Sequence, residues 1–91
     1  MRNEPPWNFD YETPGEVFIG RGNGGMRGPV SYRRFATSAD AIQFAIEQLE
    51  PSQLRASVLE VNEERFYAGS IRQLYAAGRY PLPRQPRDEP N

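Results

Sequence analysis

Ninety-one residues carrying eleven basic and twelve acidic side chains make one small domain of net charge −1, a balance that favours no strongly charged partner. All eleven bases are Arg, and the chain lacks His, Cys and Lys, which removes Ser–His and Cys–His catalysis, lysine Schiff bases, disulfides and the usual zinc ligands. Only 37% of residues are apolar and nine are proline, gathered towards the two ends, so residues 16–80 must supply nearly all of the core.

Residues 1–15 form a Pro/aromatic N-terminal arm in which Trp7, Phe9 and Tyr11 alternate with Asn8 and Asp10. That period of two fits an extended segment, either latched onto the domain or offered to a partner, so Trp7, Phe9 and Tyr11 are the candidate partner-binding residues. Self-latching is favoured, because monomers avoid exposed aromatic patches. The arm has no apolar leader, and no run nears the roughly eighteen apolar residues of a membrane helix, so no membrane partner is expected. Absence of Cys fits a reducing compartment, and the expected location is cytoplasmic.

"EVFIGR" reads as the first strand, rich in β-formers and closed by glycine. The "GRGNGG" that follows, Gly20 to Gly25, matches the G-x-G-x-x-G pattern of phosphate-binding loops. Such a loop holds phosphate because it opens a helix whose terminal amides receive the anion. Here Gly28 and Pro29 refuse a helix and "GPVSYRRFAT" reads as a second strand, so the glycines are expected to connect a hairpin, with Asn23–Gly24 supplying positive φ. No nucleotide or other cofactor is implied. Val30 and Tyr32 share one parity and Phe35 the other, which suggests a bulge or strand end near Arg33–Arg34.

Thr37 or Ser38 caps a helix whose Ile42, Ala45, Ile46 and Leu49 recur at helical spacing, with Ile46 expected to be fully buried. Pro51 stops it, and "PSQLRA" reads as a turn that tucks Leu54 beneath the domain. "SVLEV" is a third strand with Leu59 and Val61 inward, followed by a polar turn at 62–64 and a short fourth strand in "RFYAG". Ser70 is read as the cap of a second helix bearing Ile71, Leu74 and Tyr75, with Gly78 just past its end. Residues 81–91 hold four prolines and are expected to be a Pro-rich disordered tail, whose PxxP at Pro83–Pro86 is a weak recognition signal.

The order is ββαββα. It implies an α+β domain over 16–80, a mainly antiparallel sheet with two helices packed on one face. "RRFATSADAIQFAIEQL" and "RFYAGSIRQLYAAGRYPLPR" resemble small bacterial proteins of unassigned function over about residues 30–84, and the Arg-for-Lys usage resembles proteins of high-GC bacterial genomes. The resemblance brings no catalytic motif.

Two functional readings remain. A non-catalytic interaction or accessory module, binding another protein or itself, fits the aromatic arm and the even charge. A nucleic-acid-binding module is the alternative, using Arg21, Arg27, Arg33 and Arg34 around the hairpin and the basic stretch Arg65–Arg87, with Tyr32 and Phe35 available to stack on bases. A carboxylate-only enzyme is the third and weakest reading. Glu60, Glu63 and Glu64 with Asn62 read as a solvated turn, since the spacing matches no EF-hand loop.

Overall fold

Glu16, Val17, Phe18 and Ile19 alternate between polar or aromatic and aliphatic positions, and they form β1 (Gly15–Ile19) with Val17 and Ile19 buried and Glu16 and Phe18 half-exposed. The structure, a computed structural model, describes residues 9–21 and 31–85. Among these lie β2 (Ser31–Phe35), α1 (Ser38–Gln48), α2 (Pro51–Arg55), β3 (Val58–Val61), β4 (Glu64–Phe66) and α3 (Ala68–Ala76). All strand pairs are antiparallel, in the order β2-β1-β3-β4. α1 lies over β1, β2 and β3, while α3 packs beside α1 and against β4. The expected α+β arrangement is therefore present, with one short helix more than the pattern suggested.

β2 pairs with β1 in unbroken register from Gly15↔Phe35 to Ile19↔Ser31, so the anticipated bulge is absent. Parity explains the pattern instead. Tyr32 and Arg34 stand on the outer face, while Arg33 and Phe35 stand on the helix side beside Phe44.

The core gathers Val17, Ile42, Ala45, Leu59, Ile71 and Leu74, each at 0% exposure. Ile46 is a correction: it is only partly buried, at the margin of the α1 stripe. It lines an apolar groove with Leu49, Pro51, Leu54, Arg72 and Tyr75. "PSQLR" is a single helical turn rather than an irregular connection. Proline suits its first position, and Gln53 Oε1 accepts from the Glu50 amide at 3.1 Å.

Both ends of the described chain are tied to the helices. Thr37 is the α1 cap, its Oγ1 accepting from the Asp40 amide at 3.1 Å. The Ser38 amide donates to the Thr13 carbonyl at 2.6 Å and the Ala39 amide to the Tyr11 carbonyl at 3.0 Å. Buried Ser38 donates through Oγ to the Asp10 carbonyl at 3.0 Å. Ser70 does not cap α3, which begins two residues earlier at Ala68, and Gly78 is not left-handed. Instead Arg84 donates from Nε to the Tyr75 carbonyl at 2.8 Å and from Nη2 to the Ala77 carbonyl at 2.7 Å, serving the carbonyls that end α3. Tyr80 is buried, and the Gln85 amide donates to the Glu47 carboxylate at 2.9 Å. Residues 81–85 are thus a docked strap, which corrects the reading of a disordered tail for that part. Residues 86–91 lie outside the described chain.

Candidate interaction surface

Helices cover one face of the sheet, and no described helix covers the other. The strand register arranges the outer face in two rows. Tyr32, Phe18 and Val58 form an aromatic–aliphatic row across β2, β1 and β3. Arg34, Glu16, Glu60 and Arg65 form a charged row across all four strands. Neighbouring rows lie two residues apart along each strand, roughly 6.6 Å.

Tyr32 is 50% exposed and rests against Phe18, with ring centroids 5.1 Å apart and planes inclined by 48°. A cross-strand aromatic pair stabilises the sheet, yet half of the tyrosine remains open to solvent. Its hydroxyl donates to Glu16 Oε2 at 3.0 Å, and Arg34 Nη1 reaches the same oxygen at 3.5 Å. The hydrogen bond to Glu16 raises the Tyr32 pKa above its ordinary value of 10.0, so the hydroxyl stays a donor at neutral pH. Glu60 faces Glu16 on one side and Arg65 on the other. Like charges directly opposite on adjacent strands oppose each other. The turn closing β3 to β4 adds Glu63, which with Asn62 adopts positive φ of 71° and 54°. A recess of ≈ 290 Å³ is lined by Pro14, Glu16, Arg34, Glu60, Asn62 and Glu63. Among the described residues no group of three or more Asp, Glu, His or Cys is close enough to hold a metal ion.

Of the residues expected to bind a partner, the two that are described, Phe9 and Tyr11, lie elsewhere. Tyr11 is 6% exposed, and its hydroxyl donates to the Leu74 carbonyl at 2.7 Å. Phe9 packs edge-on against Tyr11 and Phe66, with centroids 5.0 and 5.4 Å away. Both rings therefore serve this domain's own packing, and Trp7 lies outside the described residues. They follow a turn rather than a strand, so their alternation reflects insertion over the α1 start and not sheet pairing.

Among the described residues, the arginines of the nucleic-acid reading do not share one face. Arg21 is exposed just beyond β1, and Arg27 lies outside the described residues. Arg33 stacks over Phe44 at 4.8 Å and Phe35 at 5.4 Å on the helix side, whereas Arg34 bridges Glu16 on the outer face. In the basic C-terminal stretch, Arg84 is occupied at the end of α3. The glycine motif also finds its reason. β1 and β2 are antiparallel, so residues 20–30 connect a hairpin, while the conformation of Asn23–Gly24 falls outside the described residues. A side chain at Gly20 would collide with the Ala56 carbonyl, and the Gly20 amide donates to Ser57 Oγ at 3.0 Å. The amides at the start of α1 are taken by the N-terminal arm and Thr37, leaving none for a phosphate.

Sequence reasoning missed the outer face itself. Phe18 and Tyr32 were readable as strand residues, but their pairing depends on the register between β1 and β2. Glu60 meets Glu16 only because β3 inserts beside β1, an arrangement that no local signal specifies. Compared with known proteins, the chain matches no family model, no curated protein and no solved structure.

Proposed function

We propose that the protein is a small non-catalytic interaction module that binds another protein through the face of its sheet that no described helix covers. The observation that carries this reading is the half-exposed Tyr32 set on Phe18 and Val58, an aromatic anchor with no described helix above it. Tyrosine at the centre of a contact supplies much of the binding energy in protein interfaces. A charged row beside it offers orientation and selectivity.

Support for protein over nucleic acid comes from the signs of the charges. Two glutamates occupy the middle of the row, and Arg34 is already shared with Glu16, so phosphate groups would meet carboxylates. The test is affinity capture from cells of the source organism, with and without nuclease, comparing wild type with Tyr32→Ala/Phe18→Ser. Protein partners retained after nuclease and lost in the double variant are the expected result. Capture that disappears on nuclease treatment, or that the double variant leaves intact, would refute the reading.

A further inference from the structure

We infer that the outer sheet face takes a short basic–apolar segment of a partner protein, with an Arg or Lys side chain between Glu16 and Glu60 and an apolar side chain on Phe18, Tyr32 and Val58. This deepens the proposed function and rests on its choice of face.

Charge decides the first half. The recess beside the row holds the carboxylates of Glu16, Glu60 and Glu63 against one guanidinium, and that of Arg34 is 62% exposed. Glu16 and Glu60 stand opposite one another, each with an Arg on its far side, and a further cation between them is attracted by both carboxylates. The carboxylates are too dispersed for a bare metal ion, whereas a guanidinium or ammonium on a flexible stem spans wider acceptors. Spacing decides the second half. The aromatic row lies roughly 6.6 Å from the charged row, the separation of side chains i and i+2 on an extended segment. A basic residue two positions from an aliphatic or aromatic one therefore reaches both rows together.

Area and symmetry favour a short segment over a centred, face-to-face second copy as the occupant. Four strands about 4.8 Å apart, each offering about four residues, present roughly 250 Å². A stable interface takes about 800 Å² from each partner, so this face suits a short segment held transiently. The row also reads Arg34–Glu16–Glu60–Arg65, the same from either end. Either in-plane twofold through its centre sets Arg against Arg and Glu against Glu.

The experiment pans random peptides displayed on phage against the immobilised full-length chain, then measures recovered peptides by fluorescence polarisation. Peptides with Arg or Lys two positions from an aromatic or aliphatic residue are expected. Their affinity should fall roughly three- to tenfold for Glu60→Gln/Glu63→Gln and comparably for Tyr32→Ala. Glu60→Gln removes both the opposition to Glu16 and the attraction to Arg65, so its thermal midpoint should stay close to that of wild type, and weaker binding at an unchanged midpoint cannot be ascribed to misfolding. Acidic or uncharged peptides that depend on Tyr32 but not on Glu60 and Glu63 would overturn the assigned chemistry and leave the face standing. Binders indifferent to both variants, or no binders, would overturn the face and the segment together.

Discussion

Gly20→Ala tests whether the first glycine of "GRGNGG" is there for packing or for a ligand. A β-carbon at this position falls on the Ala56 carbonyl group and its side chain, which end α2, so neither a rotamer change nor a small side-chain shift relieves the overlap. The end of β1 must move away from α2. Overpacking of this kind costs about 1–3 kcal/mol. The movement also loosens the hydrogen bond from the Gly20 amide to Ser57 Oγ, worth about 1 kcal/mol. A total loss of about 2–4 kcal/mol is expected, from a domain whose whole stability is on the order of 5–10 kcal/mol. Urea unfolding followed by circular dichroism reads it as a lower midpoint at unchanged slope. Gly69→Ala is the control: nothing lies within 4 Å of its added carbon, and in α3 the change should stabilise by up to about 1 kcal/mol. Excess ATP should shift the midpoint of neither variant nor wild type. A Gly20→Ala loss under about 0.5 kcal/mol, together with stabilisation of wild type by nucleotide, would falsify the packing role.

Ile42→Ala should cost roughly 2–5 kcal/mol, whereas Ile46→Ala, at the open groove beside Leu54, should cost about 1–2 kcal/mol; equal losses in urea unfolding would contradict the α1 orientation. Glu63→Gly should stabilise by about 0.5–1 kcal/mol, since glycine adopts the 71° φ freely and suits a two-residue hairpin turn; a lower thermal midpoint would count against that turn. Tyr80 is buried, its hydroxyl has no hydrogen-bond partner among the described residues, and burial chiefly, with the nearby Glu47 charge, raises its pKa. The folded chain then holds this proton more tightly than the unfolded chain, and stability present below pH ~10 is lost as pH climbs above it. Tyr80→Phe should flatten that alkaline loss and cost nothing at neutral pH; an unchanged alkaline limb in a pH series of melts would count against it.

Local signals specified the elements well because each was a short-range competition with a clear winner. Thr37 and Asp40 fix the start of α1, Pro51 its end, and the alternation of Glu16 to Ile19 the first strand. Errors arose wherever a distant residue took over a local role. The α3 start looked as if Ser70 should cap it and its end as if Gly78 should close it, but Arg84 in the strap satisfies the final carbonyls. Ile46 lies on the periodic stripe, yet α2 and α3 meet it only at a groove. The apparent break of parity between Tyr32 and Phe35 was real information misread as a bulge: the strand is regular, and one residue serves each face. The outer surface was legible only in part, because its rows are made by pairing between strands far apart in sequence.

Most features that looked available for binding are consumed by the fold. Tyr11 and Phe9 seal the first turn of α1 and the side of Phe66, so two of the aromatics in the arm are committed. Arg84 and Gln85 bind carbonyl and carboxylate groups of α3 and α1, and Arg33 lies flat on Phe44. A domain this small buries a modest fraction of its surface and recruits both described ends to finish its core. The outer face is different in kind. Tyr32 remains half-exposed although a helix or a larger aliphatic neighbour could have covered it, and Glu60 lies between Glu16 and Arg65 rather than between two cations. An exposed aromatic anchor beside a recess in which three carboxylates meet one guanidinium is an arrangement that a basic–apolar partner would complete. Tyr67, at the start of α3, is also exposed, at 57%, but on the outer face aromatic exposure and a local excess of carboxylate coincide, and that coincidence argues for Tyr32 and Glu60 as the pair to perturb.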